Sequence, residues 1–163
     1  MTNPCIFSPC RKYRYRLLHE WSDMFSTPRA IMWIGLNPST ADEEKLDPTL
    51  KRIRGFSRAW GYDRFIMANA FAYRATKPPD MLKQKDPVGP ENDRILLECA
   101  AEVDKIVVVW GNDGSRFGRD RQVMDLLKKS RKKIFCLGRN DDGSPCHPLY
   151  LPGTTALEAF VLK

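Results

Sequence analysis

The sequence has no long hydrophobic run, no internal repeat and no low-complexity tract. Because no apolar stretch approaches the ~18 residues of a membrane-spanning helix, we expect no membrane partner. The opening residues, MTNPCIFSPC, lack the basic and apolar regions of a signal peptide. These absences predict a cytoplasmic protein, of cellular or phage origin, that folds as a single domain over residues 1–163.

Histidine and cysteine are too sparse for a metal centre. The only histidines are His19 and His147, which excludes a histidine-rich metal site. The five cysteines form no tight pair: Cys5 and Cys10 are too widely spaced for a zinc knuckle, and no second pair completes four ligands. Free thiols are the expected state, and the sequence predicts neither a metal nor a cofactor.

Positive charge is in excess, with 27 Lys and Arg against 20 Asp and Glu and a net charge of +7. This balance favours an anionic partner, and nucleic acid is the commonest. A solvated basic surface without a partner is the alternative. We expect a monomer that binds nucleic acid, with DNA preferred over RNA. The cations cluster in Arg11–Arg16, Lys51–Arg58, Arg116–Arg121 and Lys128–Lys133.

Apolar segments alternate with segments of helical periodicity along the chain. The apolar segments predict buried strands at Ile31–Leu36, Arg64–Ala70, Lys105–Trp110 and Lys133–Leu137. The periodic segments predict helices at Leu50–Trp60, Glu91–Val103 and Arg119–Ser130. This alternation is typical of an α/β three-layer sandwich, in which helices flank a central, mainly parallel four-stranded sheet.

Three further elements are predicted near the ends of the chain. Alternation over Tyr13–Leu18 indicates a half-buried strand. Short helices are expected over His19–Phe25 and Thr155–Leu162.

In the segment Ile31–Asp42, the predicted strand is followed by a loop whose residues are not suited to packing in a hydrophobic core. Gly35, Asn37, Pro38 and Ser39 follow its apolar residues. Open α/β sheets bind ligands at the carboxyl ends of their strands, so this loop is a candidate site. Asn37 would present an amide that can both donate and accept hydrogen bonds. The alternative is a tight strand-to-helix turn with Ser39 or Thr40 as the N-cap.

Other predicted strands also end in candidate residues. His147 lies in a stiff, polar segment, where a neutral imidazole can donate to an oxygen that gains negative charge. Asn69 can pair with the edge of a base, and Leu149–Leu151 can act as a wedge in a nucleic-acid stack. The alternatives are a structural histidine, an asparagine that ties down a loop, and an apolar triplet that packs in the core.

Two segments resemble motifs of the uracil-DNA glycosylase superfamily. They are Gly35-Leu36-Asn37-Pro38-Ser39 and His147-Pro148-Leu149-Tyr150-Leu151. The resemblance extends from about Ile31 to Leu151 and implies a uracil-DNA glycosylase-like fold. A closer resemblance is to a bacterial and phage family known only as a domain of unknown function. Its pattern runs through the whole chain as LNPSTAD, DPT, WGY, NAFAYRAT, GPEND, WG and HPLYL.

The resemblance to the glycosylases implies roles for individual residues. Asn37 would position the attacking water, and His147 would polarise the carbonyl of the base. Asn69 would read the base, and Leu151 would enter the duplex as a wedge, with Tyr150 beside it at a position where the family has Pro or Gly.

Thr49 stands where a base-stacking Phe is expected, so stacking would come from Phe56, Phe71 or Tyr73. Tyr73 also stands where iron–sulfur glycosylases have a cluster cysteine, which implies that no cluster is present. The side chains expected to bind phosphates are Ser39, Arg74, Arg116 and Arg119.

The leading hypothesis is therefore a DNA glycosylase-like hydrolase that cleaves the N-glycosidic bond of a flipped, damaged, mismatched or modified base. Two alternatives stay open. One is a nucleic-acid-binding protein of the same fold without this chemistry. The other is a hydrolase of free modified nucleotides or nucleosides.

Overall fold

The structure, a computed structural model, describes residues 5–21, 27–39 and 46–162. Its strands are β1 (Cys5–Phe7), β2 (Arg14–Glu20), β3 (Ala30–Gly35), β4 (Arg64–Asn69), β5 (Lys105–Val108), β6 (Ile134–Cys136) and β7 (Glu158–Ala159). Its α-helices are α1 (Pro48–Ala59), α2 (Pro78–Leu82), α3 (Asn92–Ala101) and α4 (Arg119–Lys128). The strands form one sheet in the order β1-β2-β4-β3-β5-β6-β7.

The α/β class is confirmed, but the prediction of a four-stranded sheet is wrong. The four predicted strands form the parallel centre, β4-β3-β5-β6. Antiparallel strands extend this centre to seven, with β2 and β1 at one edge and β7 at the other. The edge strands β1 and β7 are too short for their periodicity to be recognised in the sequence.

Helices cover both faces of the sheet because the central strands are apolar on both faces. In β3, Ile31 and Trp33 belong to the cluster that contains the inner face of α1. Met32 and Ile34 belong to the opposite cluster, which contains the inner faces of α3 and α4. The Trp33 indole also donates to Ser57 Oγ at 3.0 Å, which anchors α1 over the sheet.

The two short helices expected near the ends of the chain have different outcomes. His19 and Glu20 belong to β2, and residues 22–26 of that expected helix lie outside the described residues. The tail forms β7 in place of a helix. The Phe160 amide donates to the Ile134 carbonyl at 3.0 Å, and the Phe160 ring packs edge-on against Trp110. Pairing with an open sheet edge thus overrides the local preference of the tail.

All five cysteines are free thiols. Within the described residues, no group of three or more His, Cys, Asp or Glu side chains is placed to hold a metal ion. No α-helix in the same part of the chain has the length and apolar character needed to span a bilayer.

Candidate active site

A cavity of about 230 Å³ lies where β3, β4 and β5 end. The strand ends are held together, since the Ala70 amide donates to the Gly35 carbonyl at 2.8 Å and the Val109 amide donates to the Ile34 carbonyl at 2.8 Å. Five of the predicted site residues line this cavity: Asn37, Ser39, Thr49, Asn69 and His147. The fold therefore brings the first loop of the parallel sheet and a segment near the end of the chain to one place.

The amide of Asn37 has a fixed orientation. Its Nδ2 donates to the Ala75 carbonyl at 2.9 Å and to the Pro38 carbonyl at 3.1 Å. Because a carbonyl only accepts, these two bonds identify which amide atom is nitrogen. Both amide hydrogens are thereby used, and Oδ1 is left as an acceptor for a ligand or a water molecule. Asn37 thus ties down the loop and presents an oxygen at the cavity.

Neither Ser39 nor Thr40 is the N-cap of α1. Helix α1 begins at Pro48, and its N-cap is Asp47, whose Oδ1 accepts from the Leu50 amide at 2.8 Å. Ser39 instead donates its hydroxyl to Asp47 Oδ2 at 3.3 Å. Thr40 lies outside the described residues.

Asn69 is a buried residue, and no hydrogen bond joins its side-chain amide to another described residue. It lines the cavity and is 3% exposed. The amide has one acceptor and two donor hydrogens to offer a molecule in the cavity. Asn69 is therefore placed to pair with whatever binds there.

Gly35 makes room for the Asn69 side chain. A Cβ at this position would stand 2.9 Å from Asn69 Oδ1 and 2.7 Å from Met67 Cε. Both separations are shorter than real Cβ contacts, so a larger residue would force the ends of the Met67 and Asn69 side chains to shift.

The Gly35→Ala substitution is expected to lower ligand binding at least ~10-fold and to cost about 1–3 kcal/mol of stability. Calorimetric titration and urea unfolding measure the two effects. If the loss of binding acts through Asn69, the same substitution in an Asn69→Ala background will add little to it. An equal further loss in that background would show that Gly35 does not position Asn69.

A buried polar network holds the end of β4. Asn92 Nδ2 donates to the carbonyls of Asn69 and Ala70 at 3.0 and 3.2 Å. Arg119 Nε donates to the same Ala70 carbonyl at 2.7 Å, and its Nη2 meets Asp93 Oδ1 at 2.7 Å. Arg119 was predicted to contact phosphate, but it is 1% exposed and lies inside the protein. Its role is to fix the strand end that carries Asn69.

His147 is held as a neutral hydrogen-bond donor. Its Nδ1 accepts from the Leu149 amide at 3.2 Å, so in the neutral ring the proton is on Nε2. Part of the ring is exposed, but desolvation of the rest lowers the pKa of His147 below its ordinary value. The nearby Asp47 carboxylate opposes this shift in the pKa.

Sequence reasoning missed Asp47, Arg14 and Trp110, which also line the cavity. Asp47 precedes the predicted helix Leu50–Trp60, and no spacing in the chain relates it to His147. Arg14 belongs to an alternating pattern that suggests exposure, but its side chain is 5% exposed. Trp110 was assigned to a strand, although it follows β5 and lies at the strand end.

Comparison with family models identifies the family of this chain. The profile of a family described as "Protein of unknown function (DUF1643)" matches residues 14–149. The chain belongs to this family. The matched span includes every residue that lines the cavity. Comparisons with curated proteins and with solved structures gave no match. The expectation of a domain of unknown function is confirmed, and the relation to uracil-DNA glycosylases stays a prediction.

Two aromatic residues predicted to bind the base lie elsewhere in this DUF1643 chain. Phe71 is fully buried and packs edge-on against Phe117. Tyr73 is half-buried and packs edge-on against Tyr13, with 5.7 Å between the ring centroids. Neither lines the cavity, where the aromatic residues are Trp110 and His147.

The predicted DNA-binding residues are dispersed. Arg74 donates to the Arg11 carbonyl at 3.1 Å and covers the Phe7 ring, away from the cavity lining. Arg116 is exposed in the 3₁₀ helix Asn112–Gly118.

The two residues of the proposed wedge have different surroundings. Leu151 is half-buried against the cluster that includes α1, and its carbonyl accepts from Arg52 Nη2. Tyr150 is 87% exposed. Of these two side chains, the tyrosine therefore projects into solvent and the leucine packs inward.

The pKa of His147 is expected to fall further when Asp47 is replaced by Asn, because the carboxylate that favours the imidazolium is removed. Since the pKa already lies below the ordinary value of ~6.5, the ring stays neutral at pH 7 and is protonated only as the pH falls. Asn is also a good N-cap, so α1 should be preserved. An NMR titration of the imidazole protons measures the shift.

His19 is the internal control for this titration, because its pKa is lowered by burial and by Arg54, without a contribution from Asp47. An unchanged His147 pKa in the Asp47→Asn variant, or an equal change at His19, would contradict the assigned interaction.

Proposed function

We propose that this DUF1643 protein hydrolyses the N-glycosidic bond of a damaged, mismatched or modified base that is flipped out of DNA. The observation that carries the proposal is the convergence of Asn37, Asn69 and His147 on one cavity. The free amide oxygen of Asn37, the amide of Asn69 and the neutral imidazole of His147 are together suited to this reaction. The resemblance of the segments around Asn37 and His147 to glycosylase motifs supports the same assignment.

His147 would act on the leaving base. As the bond between the sugar C1′ and the base nitrogen breaks, the base takes the bonding electrons and its carbonyl oxygen becomes more negative. The Nε2–H of a neutral imidazole can donate to this oxygen without transferring its proton. A preorganised donor of this kind typically contributes ~3–4 kcal/mol to the transition state.

Asn37 would act on the water. Its Oδ1 can accept a hydrogen bond from a water molecule and orient the oxygen toward C1′, where the new C–O bond forms. The water releases a proton to solvent, and the base anion takes up a proton after it departs. Asn69 would pair with the edge of the base through its amide, which supplies one acceptor and two donor hydrogens.

The position of Leu151 favours one second candidate, a hydrolase of free modified nucleosides or nucleotides. Such an enzyme needs no wedge. The Leu151 side chain packs inward against the cluster that includes α1, and its carbonyl accepts from Arg52. In the DNA hypothesis the exposed Tyr150 would take over the role of the wedge by stacking on the bases beside the gap.

The two candidates are distinguished by base release from DNA and from the matching free deoxynucleoside. The DNA hypothesis expects faster base release from DNA than from the nucleoside. It also expects Tyr150→Ala to lower the rate of base release about tenfold or more on DNA and to leave the rate on the nucleoside unchanged. Release from the nucleoside alone, with no effect of Tyr150→Ala, would support the second candidate. DNA binding without release from either substrate would overturn the hydrolase assignment.

A further inference from the structure

The outer face of α1 is a basic surface. The helix carries four cations, Lys51, Arg52, Arg54 and Arg58, and no acidic residue. Leu50, Ile53, Phe56 and Ser57 are buried on the inner face. At a spacing of i, i+3 and i+7, the three cations Lys51, Arg54 and Arg58 share the opposite side of the helix. We call these three residues the α1 basic stripe.

The described part of the chain provides no ion-pair partner for the α1 basic stripe. Among the described residues, none of its three members forms an ion pair. Other cations of the chain do: Arg64 pairs with Glu20, and Arg94 pairs with both Glu91 and Glu98. Within the described residues, the charge of the stripe is therefore available to an external anion.

The α1 basic stripe begins at the edge of the cavity. Thr49 and Leu50, in the first turn of α1, line the cavity, and Lys51 follows them directly. The helix also packs against the 3₁₀ helix Pro148–Tyr150, which comes directly after His147.

A groove of about 240 Å³ beside the stripe is lined by Lys51, Arg52, Gly55, Phe56 and Gly153. Gly55 is exposed, and a Cβ there would meet no atom within 4 Å. A glycine inside a helix costs about 1 kcal/mol relative to alanine. At this position it leaves the helix backbone open to close approach by a ligand.

We propose that the α1 basic stripe binds the phosphate backbone of the DNA strand whose base enters the cavity. From Lys51 to Arg58 the helix rises about 10 Å, which corresponds to about three phosphates along one strand. The groove receives the backbone, and Tyr150 stacks on a neighbouring base. The choice of DNA as the partner rests on the proposed function, whereas the charge and the placement of the stripe do not.

The experiment measures the binding of a short labelled DNA by fluorescence anisotropy over a range of salt concentrations, with single-stranded and duplex probes. The test variant is the triple substitution Lys51→Gln, Arg54→Gln and Arg58→Gln. The slope of log K against log salt is expected to become shallower by about 0.9 for each lost contact on a duplex and by about 0.7 on a single strand.

The control is the triple substitution Lys129→Gln, Lys132→Gln and Lys133→Gln. It removes the same charge from the turn that joins α4 to β6, at the end of the strands opposite the cavity. Its salt slope is expected to match that of the wild-type protein. Equal weakening in both triple variants would overturn the proposal, because net charge alone would then explain binding.

Two further outcomes would overturn the proposal: wild-type binding by the stripe variant, and failure of the wild-type protein to bind either DNA probe. Selective binding of an acidic protein in place of DNA would do the same. Failure of the proposed function is a different result, since DNA binding through the stripe would then persist without base release.

Discussion

Replacement of His147 by alanine is expected to reduce kcat for base release by about 10²–10³-fold, the usual cost of removing one preorganised donor. The reason is that the structure leaves Nε2–H as the donor, since Nδ1 is occupied by the Leu149 amide. A gel or chromatographic assay of free base, with single-turnover kinetics, measures the loss. Because the ring is partly exposed, the free energy of unfolding should change little.

The matched variant is His147→Asn. Asparagine can replace Nδ1 as the acceptor for the Leu149 amide, but it does not reproduce the imidazole Nε2–H. The chemical hypothesis expects both variants to lose kcat to a similar extent. If His147→Asn kept the wild-type rate while His147→Ala lost it, the residue would hold the loop and take no part in catalysis.

Arg119→Met is expected to have the largest effect on stability, about 2–4 kcal/mol in the free energy of unfolding. The substitution removes a fully buried guanidinium that holds the Ala70 carbonyl and bonds to Asp93. The cost is moderated because Asp93 is largely exposed and is readily hydrated when it loses its partner. Urea unfolding, followed by tryptophan fluorescence, measures the change.

Arg94→Met is the control for this prediction. Arg94 lies on the neighbouring helix α3 and makes two ion pairs, with Glu91 and Glu98, but its side chain is 58% exposed. Exposed pairs contribute at most about 1 kcal/mol. Equal destabilisation by the two substitutions would mean that Arg119 does not support the end of β4.

The centre of the fold could be predicted because its signal is local. In β3, Ile31–Ile34 are all buried, as expected for a parallel strand covered on both faces. Parallel strands end at one edge, so the meeting of Asn37 and Asn69 followed from the strand assignment. The motif around His147 added the third residue.

The remainder depended on contacts between residues that are distant in the sequence. Arg119 bonds to a carbonyl 49 residues earlier, and nothing in its local sequence distinguishes it from a surface arginine. Asp47 reaches the cavity because it caps α1 beside the first loop. The Leu151 carbonyl accepts a hydrogen bond from Arg52, which lies 99 residues earlier. In each case a contact between distant parts of the chain decides where the residue lies.

The measurement that tests the central claim most directly is release of free base by the wild-type protein and by Asn37→Ala. The substrates are DNA containing uracil, hypoxanthine, mismatched bases and phage-modified bases. The proposed function predicts release from at least one of these substrates and a loss of about 10²-fold or more in Asn37→Ala. No release from any substrate by a wild-type protein that binds the same DNA, or equal release by both proteins, would contradict it.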